Sequence, residues 1–185
     1  MNMAIIALEN VMPLWKIYHP VGAFTVEDRR AFAARITELY GRLPKFYVNV
    51  IFQEIPRDSF YIGGEPVDNF IRLSIEHIAR TLPNDRKVWW LERTNEVIAP
   101  FVKDRGFEWE FHIDETPFDL WSVQGYQPPP ANSEDEKRWI RENKASPRTD
   151  ISSLVCPAAK ALSTLHKRRQ PGLLGSVAGH RHDQG

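Results

Sequence analysis

A strand-like run, an amphipathic helix and a second strand-like run follow one another twice along this chain, and that doubled order leaves few folds open. The first copy begins with "LWKIYHP". Thr25 with Asp28 three residues on makes a capping-box-like helix start, after which Phe32, Ala33, Ile36, Leu39 and Tyr40 fall on one helical face. The run "FYVNVIFQEI" is β-branched and aromatic, with Val48, Val50 and Phe52 on one side of a strand. Beyond a turn-rich link, "IPRDSFYIGGEPVDN", the order returns. "FIRLSIEHI" alternates Ile71, Leu73 and Ile75. "PNDRKVWWLERTNEVIAPFVKDRG" sets Val88, Leu91, Ile98, Phe101 and Val102 on a helical stripe that Pro100 should kink and Gly106 should end. "FEWEFHID" then alternates Trp109, Phe111 and Ile113. Equivalent elements lie roughly sixty residues apart, an internal duplication of one β-α-β unit. Parallel strands joined through a helix require a right-handed crossover, so two such units imply an α+β fold, one four-stranded sheet with both helices on one face. The proline-rich turn "QPPP" and a short C-terminal helix over "EDEKRWIRENK", capped by Ser133 with Glu136, complete the body.

Composition narrows the function classes. The 185 residues suit one domain with a core of its own, and 42% hydrophobic with 26% charged residues describe a globular chain. A net charge of zero gives no whole-chain argument for nucleic acid or an anionic membrane, so the expected partner is a small molecule. Cys156 is the only cysteine; it excludes an intramolecular disulfide and a cysteine-built zinc site, and suits a reducing compartment. "MAIIAL" is too short and lacks the basic flank of a secretory signal, and no apolar run approaches the roughly 18 residues of a membrane span, so the expected location is the cytoplasm. Charge is uneven along the chain: residues 146–185 hold six Lys/Arg against two Asp/Glu. The region 147–185 therefore reads as a basic, poorly ordered tail, with "HKRR" as a rival binding patch and a short amphipathic helix for which Pro157 suits a first position and Leu154, Ala158, Leu162 and Leu165 recur at helical spacing.

The pair Met12-Pro13 at the head of the first strand has two chemistries. At a free terminus the proline nitrogen is a secondary amine that can take up a proton; inside a chain it is a tertiary amide with no N–H and no basic lone pair. Residues 1–11 decide between them, and Met3 and Met12 are both later start points. Other polar residues have plain structural readings. His112 on a strand suits a partly buried hydrogen-bonding role, and His77 with Arg80 suits a solvated strand end. His112, Asp114 and Glu115 suggest a metal site only superficially, because His112 and Asp114 share one strand face while Glu115 takes the other; no metal is expected. "YIGGEP" lacks the spacing of a phosphate loop and reads as a turn. Trp121 and Trp139 read as packing anchors of the C-terminal segment.

The blocks "MPLWKIYHPVGAFTVEDRRAFAARITELY", "VNVIFQEIPRDSFYIGGEPVDNFIRLSIEHIAR", "WEFHIDETPFDLWSVQG" and "PPPANSEDEKRWIRENKAS" resemble the fungal branch of the tautomerase superfamily, the cis-3-chloroacrylic acid dehalogenase-like group. The resemblance runs from residue 12 to about 146, which sets a tautomerase-like domain at 12–146 between an extension at 1–11 and the tail. It implies duplicated β-α-β units, a homotrimer, no metal or cofactor, a small carboxylate substrate and an amino-terminal proline as catalyst. Pro13 falls on that proline, and a Met-Pro start is the kind that loses its methionine. Of the two arginines that bind the substrate carboxylate at the end of the third strand, Arg80 falls on the second and His77 stands at the first. Tyr40 falls on the histidine of the first helix, and His112 on the tyrosine of the fourth strand. The water-activating glutamate has no clear counterpart, since Val123 or Gln124 precedes Gly125. The resemblance therefore implies keto–enol tautomerisation, with water addition or hydrolytic dehalogenation of a 3-haloacrylate-like acid as the rival, and an inactive trimeric scaffold if Pro13 stays internal.

Overall fold

The computed structural model describes residues 12–78 and 82–149. The chain divides into two units, Met1–Arg148 and Thr149–Gly185, and all the described residues but Thr149 belong to the first. The extension 1–11, the helix expected after Pro157 and the "HKRR" patch lie outside the described residues.

Strands β1 (Met12–Pro20), β2 (Asn49–Ile55), β5 (Phe70–Ile78) and β6 (Glu108–Thr116) form one sheet in the order β2-β1-β5-β6. β1 pairs with β2 in parallel, β5 pairs with β6 in parallel, and the two halves meet through the antiparallel β1–β5 ladder. This is the expected duplication. In the link between the halves, β3 (Tyr61–Ile62) and β4 (Glu65–Pro66) make a two-strand hairpin. Its turn is the glycine pair, Gly63 at φ 61° and Gly64 at φ 91°, a backbone that residues with a Cβ rarely adopt.

The crossover helices are α1 (Val26–Leu39) and α2 (Asn84–Ile98). α1 starts with the full capping box: Thr25 Oγ1 accepts from Asp28 N at 3.0 Å and Asp28 Oδ2 accepts from Thr25 N at 2.9 Å. Both helices cover the same sheet face, since Arg35 of α1 donates to the carbonyls of Val97 and Glu96 in α2, and Phe32 stacks on Phe101 with centroids 4.4 Å apart. Trp15, Ile17, Ile71, Leu73 and Ile75 from the sheet meet Phe32, Ile36, Trp90, Val97 and Ile98 beneath them, all at or near zero exposure. Each such burial removes apolar surface from water for about 1.5–3 kcal/mol, which fixes the period-two register of β1 and β5.

Two expectations for α2 are corrected. Val88 and Leu91 do not face the core; they are 64% and 46% exposed, and the buried face is Trp90, Thr94, Val97 and Ile98. The large indole of Trp90 gains most from burial and sets the rotation of the helix. Pro100 does not kink the helix, because α2 ends at Ile98 before it, and Gly106 closes the following 3₁₀ turn at φ 81°. The C-terminal helix α3 (Glu134–Glu142) is capped by Ser133 Oγ, which accepts from Glu136 N at 3.2 Å. The Glu136 carboxylate reaches Asn132 N at 2.5 Å rather than Ser133 N, so the expected cap is present with its return bond one residue earlier. No helix among the described residues is long and apolar enough to cross a membrane.

Candidate active site at the head of the first strand

The sheet brings four chain ends to one edge: the starts of the parallel strands β1 and β2 and, because the halves are antiparallel, the ends of β5 and β6. α1 runs back along the sheet from the far end of β1, so Tyr40, which caps its C-terminus, returns to the same edge. Pro13 lies there. It pairs directly with His77 of β5, while pairing with β2 begins only at Leu14. On the β2 side of Pro13 the ladder stops and a cleft of about 340 Å³ opens, lined by Pro13, Met12, Tyr47, Asn49, Ile51 and Trp121 among others.

Local sequence explains the walls. Pro44 opens a 3₁₀ turn over Lys45–Tyr47, which turns the Tyr47 ring inward against Trp121 and Trp139, with centroids 5.4 and 6.1 Å away. Burial raises the Tyr47 hydroxyl well above its ordinary pKa, with the Glu136 carboxylate adding to the shift, so the phenol is neutral at physiological pH. Trp139, wholly buried, donates its indole N–H to Ser146 O at 3.1 Å and ties α3 down. Trp121 and Trp139 are thus the packing anchors that their sequence context implies, and Trp121 also walls the proline cleft.

Behind Pro13, on the helix-covered face, three buried polar side chains form a chain. The Trp15 indole N–H donates to the Tyr40 hydroxyl oxygen at 3.1 Å, and that hydroxyl lies 2.9 Å from Nε2 of His77. Proton positions follow from a count of partners. If Tyr40 donates to Nε2, only the N–H at Nδ1 of His77 lacks a partner; if Nε2 donates instead, both the Tyr40 O–H and the Nδ1 lone pair are orphaned. The first arrangement is assigned. Burial lowers the His77 pKa to about 4, and burial raises that of Tyr40 against the small opposing effect of Trp15, so both are neutral. His77 is at zero exposure, so it is not the solvated strand end that its sequence context allows.

His112 is elsewhere. It pairs with Ser74 on the uncovered face of the sheet, within a band of charged residues. Arg72 Nη2 lies 2.9 Å from Nδ1 of His112, and Nε2 of His112 lies 3.1 Å from Asp114 Oδ2. Arg72 can only donate, so Nδ1 accepts and the Nε2–H serves Asp114, the opposite tautomer to that of His77. Arg72 also pairs with Glu110, and Lys16 with Glu76. Glu115 points the other way and accepts from Leu82 N. Among the described residues no group of three or more His, Cys, Asp or Glu is placed to hold a metal ion.

Of the five residues expected to form the site, the structure brings together Pro13, His77 and Tyr40, puts His112 on the opposite face of the same chain, and leaves Arg80 outside the described residues. Trp15, Tyr47, Asn49 and Arg72 were not foreseen. Alternation alone could have found Trp15, two residues beyond Pro13 on the same face, and Arg72, which shares a face with Ser74. Nothing in the apparent strand "FYVN" marks Tyr47 as the inner wall of a turn.

Among curated proteins none matches this chain. Solved structures do. RhCC from Rhodococcus jostii RHA1 is 42% identical, with a TM-score of 0.71, over 73% of this chain and 99% of that one. A probable enzyme from the thermophilic fungus Aspergillus fumigatus is 39% identical, with a TM-score of 0.71, over 75% and 99%. N1, a member of the cis-3-chloroacrylic acid dehalogenase family, shares the fold at 19% identity and a TM-score of 0.57 over 82% and 99%. A family model described as "Putative oxalocrotonate tautomerase enzyme" matches residues 12–144. With the duplicated sheet, the proline cleft and that match over most of its length, the chain belongs to the tautomerase superfamily, in the oxalocrotonate tautomerase-like family that this model defines.

Proposed function

We propose that the chain, once it begins at Pro13, is a cofactor-independent tautomerase that interconverts the keto and enol forms of a small unsaturated carboxylic acid. The observation that carries this reading is the position of Pro13: second residue of β1, against an open cleft, one residue inside the start of the family match. As a free secondary amine its baseline pKa is about 8, and burial lowers it by disfavouring the charged form. A neutral amine then removes a proton from the oxygen or carbon next to the carbonyl and returns it to another atom of the conjugated acid. Arg80, two residues beyond the end of β5, is the carboxylate clamp in this reading, its planar fork matching a carboxylate in two-pronged fashion.

The assembly belongs to the same proposal. Tyr40 and His112 serve one substrate only if a neighbouring copy brings its His112 face to the cleft, because within one chain they lie on opposite sides of the sheet. A closed homotrimer meets that need. It would also cover the free outer edges of β2 and β6 and the exposed apolar side chains Ile51, Val88 and Leu91.

The test is ketonisation of phenylenolpyruvate, followed by absorbance, with protein that starts at Pro13. The expected result is turnover that Pro13→Ala abolishes and Arg80→Lys weakens mainly through KM. Turnover of a 3-haloacrylate with halide release and none of the enol acid would favour hydrolytic dehalogenation, for which the turn Val123–Tyr126 carries no carboxylate.

A further inference from the structure

We infer that His77 acts on the substrate as a neutral hydrogen-bond donor through Nδ1–H, aimed at the carbonyl oxygen where charge develops, and that Trp15 and Tyr40 are positioning residues that hold it in that tautomer. This rests on the tautomerase reading and departs from it at two points: a residue standing at a carboxylate-binding position becomes a donor to the reacting oxygen, and Tyr40 acts through His77 instead of serving the substrate directly. Three observations carry it. His77 sits directly across the ladder from Pro13, and directly opposed residues of an antiparallel pair share a face with Cβ atoms about 5 Å apart. Its Nε2 is occupied by Tyr40, which Trp15 in turn orients. Its Nδ1, the ring nitrogen nearer the backbone, is buried with no partner among the described residues, and a buried unpaired donor costs free energy that a fold does not ordinarily leave uncompensated.

Trp15 donates to the Tyr40 oxygen and leaves the Tyr40 O–H to donate to Nε2, the arrangement that orphans the fewest groups, and an imidazole that accepts at Nε2 carries its proton at Nδ1. Burial holds that imidazole neutral. A neutral donor suits an oxygen that is uncharged in the bound substrate and gains charge in the transition state, because it binds the second state more strongly than the first. Met12, which lines the Pro13 cleft and pairs with Ile78 next to His77, is absent from a chain that begins at Pro13. No bond is made or broken by His77; the proton stays on Nδ1 while Pro13 performs the transfer.

The experiment uses the chain that starts at Pro13, with phenylenolpyruvate as substrate. An asparagine places its amide nitrogen near the position of Nδ1 and a glutamine near that of Nε2. His77→Asn should therefore keep activity within about tenfold of the parent, while His77→Gln should lose about a hundredfold or more in kcat, the usual scale for removing one such donor. Tyr40→Phe should lower kcat with KM within about twofold. Nitrogen NMR of the unsubstituted protein should find His77 protonated at Nδ1 at neutral pH, and Tyr40→Phe should mix the two tautomers. This measurement stands even where a His77 variant fails to fold. An active parent with an Nε2-protonated His77, or with Gln equal to or better than Asn, overturns this inference alone. An inactive parent overturns the tautomerase reading and this inference together.

Discussion

At the scale of single residues, the histidines bear the clearest consequences. His77 titrates near pH 4 in the fold against an ordinary 6.5, and burial also lowers His19, whose Nδ1 donates to Pro20 O at 2.8 Å among Phe24 and Phe52. The sign follows from proton counting. Below pH 6.5 the unfolded chain binds protons that the folded chain refuses, so this stability is complete above 6.5 and is lost as pH falls toward 4. For His77 the loss is about 3 kcal/mol across that window, at about 1.4 kcal/mol per pH unit. Urea unfolding midpoints should fall between pH 6.5 and 4.5, and a His77→Asn variant should show a shallower slope by close to one proton. Tyr40→Phe leaves both the Trp15 N–H and Nε2 of His77 unpaired in the core, for an expected loss of about 2–3 kcal/mol. The family resemblance marked Tyr40 and His77 as candidates, yet not their arrangement, because they are 37 positions apart and meet only through the helix packing.

At the scale of elements, the ends of the helices are the informative parts. The capping box of α1 was legible in "TVED", since its spacing alone puts both side chains over free N–H groups. Thr25→Ala should cost about 1 kcal/mol of stability in chemical denaturation. The end of α2 was not legible. Its last carbonyls, at Glu96 and Val97, are taken by Arg35 from the other helix, 3.3 and 3.0 Å away, and no local pattern announces such a contact. Arg35→Ala should therefore destabilise by about 1–2 kcal/mol, while Arg93→Ala, which removes only an exposed pair with Glu96, should stay within about 0.5 kcal/mol. Equal effects in the two variants would mean that the Arg35 contact adds nothing to the packing of α1 on α2. The face of α2 was misread for a related reason: Val88 and Leu91 are apolar by type, but burial of one indole outweighs both. In β1 and β5, by contrast, strict alternation left only one register that keeps Trp15, Ile17, Leu73 and Ile75 out of water, and the sheet follows it.

At the scale of the whole molecule, duplication accounts for both the sheet and the place of the cleft. Two parallel units joined antiparallel necessarily bring the start of β1 against the end of β5, so Pro13 and His77 meet by topology before any side chain is chosen. The outer edges of β2 and β6, unpaired among the described residues, favour the proposed homotrimer, for which sedimentation at micromolar concentration should give three chain masses, and a single chain mass would contradict it. The dependence on a free terminus is electronic: a proline nitrogen acylated by Met12 has its lone pair drawn into the amide and accepts no proton at neutral pH. The most direct measurement compares phenylenolpyruvate ketonisation by the full 185-residue chain, its intact mass verified after the assay, with ketonisation by the chain that begins at Pro13. The short form should turn over and the long form should show under about a hundredth of that rate; equal rates would contradict catalysis by the free amine and leave Pro13 a strand-leading proline.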